Sequence, residues 1–219
     1  MRDPDATRKS ILDAAEHIFL AKGFADASTA EIARKSGVTK SLIHHHFGSK
    51  EALWAQVKER RFAEYFDRQI AALREQKADL DLLRKSIEMY FHFLQRNPDL
   101  VRMLAWMALE GERAGTPGAR PTRAGESGDG VERTEKAYLL NELGVAKIRE
   151  GQAAGILRDD VDPLMILSIF GALTEHWFLH RDELKGCMAL EFGGEKLDED
   201  YLDAMLKVFF GGVSARPKT

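Results

Sequence analysis

The chain has 219 residues, of which 44% are hydrophobic and 31% charged, and it carries a formal net charge of −3. Such a composition belongs to a soluble globular protein of one domain or two small ones and excludes wholesale disorder. A single cysteine, Cys187, excludes an intrachain disulfide framework, and the near-neutral balance excludes a surface that is basic all over.

Charge is unevenly divided. Residues 1–60 hold ten Lys or Arg against eight Asp or Glu, while residues 61–219 hold 22 against 27. The N-terminal part is mildly basic and the rest acidic, so any phosphate contact has to come from a few placed side chains. No N-terminal apolar run reads as a signal peptide, and no apolar stretch is long enough to span a bilayer. With cysteine so sparingly used, a reducing cytoplasmic location without membrane contact is expected.

Asp3-Pro4 or Asp5 is the predicted start of the first helix, in which Ile11, Ala14, Ala15, Ile18 and Phe19 recur at helical spacing. Lys22 falls in its last turn, Gly23 ends it, and Phe24 folds back onto the core. Ser28, with Glu31 three residues on, makes a capping box and predicts a second helix that buries Ile32 and Ala33. Gly37 ends that helix where a positive backbone angle is easiest. Val38 fills the turn, and Thr39 caps a third helix with Lys40, Ser41, Leu42, His44 and His45 on or near its first exposed turns. Two short helices around a tight turn, the second turned outward, are how a helix-turn-helix offers a recognition helix to the major groove. Ser49 then caps a long fourth helix from about Lys50 into the seventies, packed through Leu53, Val57, Phe62, Phe66, Ile70 and Leu73.

The later segments also read as helix. One runs from about Asp81 to Gln95, and Asn97-Pro98-Asp99 restarts the chain into another from Leu100 to about Gly111. Residues 111–130 are dense in Gly, Pro, Ser and charge and read as a mobile loop. A long helix covers roughly Val131 to Ala154 and stops at Gly155. Asp162-Pro163 opens a nearly all-apolar helix, Leu164 to Leu179, and Asp198 starts the last, ending at Gly211-Gly212. No strand pattern emerges. The expected class is all-α, with a helix-turn-helix head at residues 1–50 and a larger helical body at residues 51–219.

The ordered series Ile11-Leu12-x-Ala14-Ala15, Phe19, Lys22-Gly23-Phe24, Ile32-Ala33, Ser36-Gly37-Val38, His46-Phe47 and Ser49-Lys50-Glu51-Ala52-Leu53 carries more than a bare helix-turn-helix. From about Thr7 to Val57 it closely resembles the DNA-binding domain of the TetR family of bacterial transcriptional regulators. The resemblance implies that Thr29, Lys40, Ser41, Leu42, His44, His45 and Lys50 contact double-stranded operator DNA. Lys40 can donate to guanine or to phosphate, Leu42 can touch a thymine methyl, and Ser41, Lys50 and Thr29 suit backbone phosphates. His44 departs from the family, which usually has tyrosine there. A histidine keeps a phosphate contact best when charged, so operator affinity is expected to rise as pH falls through about 6.5.

The run His44-His45-His46 does not read as a metal site, because successive helical positions point about 100° apart. His176 and His180 do share a face, but no third ligand is evident, and no metal or cofactor is expected. The body is rich in adaptable and aromatic side chains. Met89, Phe93, Met103, Trp106, Met107, Glu110, Tyr138, Phe170, His176 and Trp177 are the candidate contacts for a small-molecule effector, with Glu110 or His176 as polar anchor. Apolar residues go most of the way round the 163–180 helix, and a second apolar face lies on 198–211. Paired with their symmetry mates, these two helices would form the four-helix dimer interface that the resemblance implies.

The expected function is a cytoplasmic, homodimeric, ligand-responsive transcriptional regulator, a repressor that a small molecule releases from a palindromic operator. The alternative is a ligand-independent architectural DNA-binding protein on the same fold. An enzyme is not expected, since no nucleophile–base pair, paired carboxylates or phosphate loop is found.

Overall fold

The computed structural model of the chain describes residues 3–109, 131–187 and 195–214, with backbone alone at 131–135 and 195. Among these residues the elements are α1 (Pro4–Asp26), α2 (Thr29–Ser36), α3 (Lys40–Phe47), α4 (Lys50–Glu75), α5 (Leu80–Arg96), α6 (Pro98–Leu109), α7 (Val131–Ala153), α8 (Pro163–Cys187) and α9 (Glu195–Val213). An isolated bridge between Leu157 and Ser214 is the extended pairing found among them. The class is all-α, as expected. Glu110 and the 111–130 segment lie outside the described residues.

Helix starts follow from side chains that take up orphan N–H groups. The Asp3 carboxylate accepts the Asp5 N–H at 3.0 Å, with Pro4 at the first helical position. Ser28 Oγ accepts from Glu31, Thr39 Oγ1 from Leu42 and Ser49 Oγ from Ala52, at 3.1, 3.2 and 3.1 Å. Glu31 does not close the capping box from its side; its carboxylate takes the Lys22 ammonium at 2.6 Å instead. Gly23 (φ 78°) breaks α1 and Gly37 (φ 68°) ends α2.

Three boundaries moved. Helix α5 starts at Leu80, one residue before the expected Asp81, and Asp79 caps it, its carboxylate accepting the Leu82 N–H at 2.7 Å. Helix α8 runs past Leu179 to Cys187, and α9 begins at Glu195, so Asp198 is an internal residue of α9 and not its cap.

The described residues fall into two compact units, one within 1–64 and 102–137, the other within 65–101 and 138–219. The core of the first is Ile11, Ala15, Phe19, Ile32, Leu53, Trp54 and Val57, all buried, with the Phe19 and Trp54 rings 4.9 Å apart. Polar braces join the same two helices. Arg60 holds Asp13 at 2.7 Å and also Glu16, Arg61 holds Glu16 at 3.1 Å, and Arg8 donates to Gln56. The compact unit therefore runs beyond residue 50, because the first half of α4 supplies one wall of the head's core.

In the second unit Phe91 packs 4.8 Å from Phe178, and Trp177 stacks on Tyr201 at 4.1 Å. Asp198, 4% exposed, accepts the Trp177 indole N–H at 3.0 Å and the Arg181 guanidinium at 2.6 Å.

Candidate nucleic-acid interface

Helix α3 is built to be held from one side. Ile43 and Phe47 are 3% and 4% exposed, whereas Lys40, Ser41, His44 and His45 are exposed and Leu42 and His46 half-buried. Four positions along a helix return to the same face, so the apolar pair 43/47 fixes which way 40/41 and 44/45 point. The tight turn before α3 is closed by the Val38 N–H to the Ala33 carbonyl at 3.0 Å. Ser36 Oγ donates to the Ile32 carbonyl at 2.7 Å, and Ser10 Oγ reaches the Ser36 carbonyl at 3.3 Å, tying the end of α2 to α1.

One residue not singled out from the sequence matters here. The Arg8 guanidinium lies 5.3 Å from the centroid of the Phe47 ring while it also holds Gln56. It bears on the anchor of α3 from α1. An arginine three residues before Ile11 carries no local signal of that task.

The expected contacts fall into two groups. Lys40, Ser41, His44 and His45 share the exposed face of α3, and Leu42 is half-buried beside it. Thr29 is half-buried at the first position of α2. Lys50 is half-buried and already engaged, its ammonium 3.2 Å from the Ala25 carbonyl and 4.4 Å over the Phe24 ring. Among nearby acids, the Lys22 hydrogen bond holds the Glu31 carboxyl below its usual range. Glu51, in the first turn of α4, is likewise held down by its own backbone N–H and by Ser49.

The body residues named for ligand contact are more scattered. Met103 and Met107 are almost wholly buried and Trp106 is half-buried. In the second unit Met89, Phe93, Tyr138 and Phe170 are half-buried. Phe93 stacks on Tyr65 at 4.8 Å, and Phe170 meets Tyr90 edge-on at 5.8 Å. Trp177 is buried with its N–H committed to Asp198, so its polar tip is not a free handle. His176 is exposed, its ring 4.4 Å from that of His180. It lies on the outward face of α8, turned away from the buried Thr174 and Trp177, and so does not serve as the interior anchor expected of it. Glu110, the other expected anchor, is outside the described residues. Among the described residues no group of three or more His, Cys, Asp or Glu could hold a metal ion, and no helix is long and apolar enough to cross a membrane.

The chain matches the family described as bacterial regulatory proteins, tetR family, over residues 11–57, and the tetracyclin repressor-like C-terminal domain over residues 87–191. It is 27% identical over 202 residues to the transcriptional repressor NicS of Pseudomonas putida, covering 90% of this chain and 88% of that protein. It is 28% identical over 206 residues to the transcriptional repressor SCO4008 of Streptomyces coelicolor, covering 94% of each. Among solved structures, the transcriptional regulator SCO4942 of Streptomyces coelicolor shares the fold with a TM-score of 0.66 at 21% identity, over 94% of this chain and 98% of that one. An outward recognition helix on a buried two-residue anchor, with both halves of the chain matching, leads to one conclusion: the protein belongs to the TetR family of bacterial transcriptional regulators and is a DNA-binding regulator of transcription.

Proposed function

We propose that the chain is a cytoplasmic homodimeric repressor that grips a palindromic operator through α3 and is released by a small-molecule effector held in the body. The observation that carries the DNA-binding half is the division of α3 into a buried Ile43/Phe47 edge and an exposed Lys40, Ser41, His44 and His45 edge. Lys40 and the α3 face read the major groove, Leu42 adds an apolar contact, and Thr29 and Lys50 flank them against phosphate. His44 contacts phosphate in its charged form.

The dimer reading is supported by an apolar stripe left in the open. Met165, Ile169, Ala172 and Leu179 recur at helical spacing on α8, with His176 in the same line, and all are exposed, Met165 and Ile169 at 50% each. Ala204, Val208 and Gly211 make a similar exposed line on α9. Apolar residues lined up this way mark an interaction face. A dimer also supplies two recognition helices, which read half-sites about 34–36 Å apart. Repression as the sign of regulation follows the names of the relatives NicS and SCO4008. Ligand contact is assigned to Met89, Phe93, Tyr138 and Phe170, which all lie in the second unit.

Footprinting on genomic DNA tests the reading, with Lys40→Ala and Lys50→Ala in parallel. A palindromic site is expected. Lys40→Ala should weaken it by about 1–3 kcal/mol and leave thermal stability unchanged. Lys50→Ala should weaken binding across all sequences and lower stability as well, because it also removes the ammonium that donates to the Ala25 carbonyl and lies over the Phe24 ring. Sequence-blind binding would transfer the chain to the architectural alternative.

A further inference from the structure

Within the second unit, α4, α5 and α8 bring Tyr65, Gln69, Ser86, Tyr90 and Glu175 into one polar cluster. Gln69 is 3% exposed, and its amide nitrogen donates to the Ser86 carbonyl at 2.8 Å and to the Tyr65 hydroxyl at 3.4 Å. Those bonds use both amide hydrogens and decide the orientation of the amide, because a carbonyl accepts only from the nitrogen end. Gln69 Oε1 is left buried without a donor. The Ser86 hydroxyl, on the residue whose carbonyl holds the amide, is also buried without a partner.

Glu175 adds a charge to the cluster. It accepts the Tyr90 hydroxyl at 2.7 Å, and among the described residues it has no basic partner. Rings surround the group: Tyr65 stacks on Phe93 at 4.8 Å and lies 5.4 Å from Tyr90, which meets Phe170 edge-on. Burial pushes both tyrosine hydroxyls well above their ordinary range, so they stay protonated and neutral. Buried amide oxygens and hydroxyls are nearly always paired in native interiors. Here the chain provides a spare amide acceptor, a spare hydroxyl, a carboxylate without a basic partner and several aromatic faces.

We propose that this cluster is the polar end of the effector site and takes an organic cation with N–H donors, a protonated amine or amidine on an apolar body. The proposal rests on the ligand-responsive reading above. The N–H groups bond to Gln69 Oε1 and Ser86 Oγ, Glu175 supplies the counter-charge, and the ring faces stabilise the cation. A carboxylate or phosphate ligand could take the Ser86 hydroxyl but would meet the Gln69 acceptor and the like charge of Glu175. A neutral alcohol could satisfy Gln69 but would leave the carboxylate without a cation.

The test uses the full chain and sets of compounds matched but for headgroup: 4-phenylbutylamine, 4-phenylbutanol and 4-phenylbutyrate, with longer and branched homologues of each. Binding is read by thermal shift and calorimetry, and operator release by fluorescence anisotropy. The amines are expected to bind and to release operator. Gln69→Leu and Glu175→Gln should each weaken amine binding by at least about tenfold, and Ser86→Ala by about threefold without lowering the melting temperature of the free protein. Preference for the alcohols or carboxylates overturns the proposal, as does equal amine binding by wild type and the Gln69→Leu and Glu175→Gln variants. So does binding by no headgroup class, or a Ser86→Ala variant that melts lower. Release by a carboxylate or alcohol would leave the ligand-responsive reading intact and remove only this subsite. Release by no compound of a broad metabolite set would count against that reading itself.

Discussion

Replacing Asp198 with leucine removes the shared acceptor of two helices. Its carboxylate, 4% exposed within α9, takes the Trp177 indole N–H at 3.0 Å and the Arg181 guanidinium at 2.6 Å, with Gln95 at a long 3.5 Å. Trp177 is itself 4% exposed, so the indole N–H of an Asp198→Leu variant has no route to water. An orphaned buried donor costs about 1–3 kcal/mol. Breaking a fully buried ion pair costs about 3–5 kcal/mol. That limit is not reached, because the Arg181 side chain is 23% exposed and its guanidinium can regain some hydration. Together the loss is about 2–4 kcal/mol, or about 5–15 °C in melting temperature for a chain of this size. Thermal and urea unfolding at one fixed protein concentration measure it, since oligomerisation shifts apparent stability. Trp177→Phe alone keeps the Asp198–Arg181 pair and should cost only about 1 kcal/mol. The double variant removes the orphaned donor together with its acceptor, so it should fall clearly short of the sum of the singles. A single Asp198→Leu loss under about 1 kcal/mol, or strict additivity, would refute the reasoning.

Gly37 holds φ 68° with no atom within 4 Å of where a Cβ would stand, so Gly37→Ala tests backbone conformation alone. It should cost about 1–2 kcal/mol by urea unfolding, with Gly37→Asn recovering part; equal stability of all three refutes the strain. At Asp13, burial raises the carboxyl pKa but the Lys9 and Arg60 hydrogen bonds outweigh it, so the carboxyl lies below its ordinary value in the folded chain. Its contribution is therefore present above the unfolded pKa, about 3.9, and is lost as pH falls through the lower folded one. Arg60→Leu should flatten the fall of stability with pH in that acid window, and identical acid slopes would refute it. Ile169→Asp places a charge on the open stripe of α8 and should convert dimer to monomer by light scattering while weakening operator binding. An unchanged mass would remove that face from the interface.

The head was legible because its signals are local. Ser28, Thr39, Ser49, Gly23 and Gly37 each do their work within four residues, and each was found doing it. Asp198 was misjudged by the same rule. An acid before an apolar run reads as a cap, yet it is buried inside α9 because its partners Trp177 and Arg181 lie 21 and 17 residues away. Distance along the chain also hid the polar cluster: Gln69 meets the Ser86 carbonyl across 17 residues, and Tyr90 meets Glu175 across 85.

Composition identified the body as rich in Met and aromatics but could not say which way each side chain turns. His176 and Trp177 are neighbours in sequence and both read as pocket residues, but a step of one residue turns a helix by about 100°. One faces out beside Ile169, and the other is buried against Tyr201. Residues suited to a pocket, a core or a dimer face are chemically the same residues, so apolar richness on α8 counts equally for all three. Unpaired polar atoms separate them better. A core group such as Trp177 has its hydrogen bond made within the chain, and the α8 stripe from Met165 to Leu179 is largely apolar. A ligand-binding group keeps capacity unspent while buried, as Gln69 Oε1 and Ser86 Oγ do. Side-chain identity alone cannot reveal that property, because it depends on which partners the fold supplies and which it withholds.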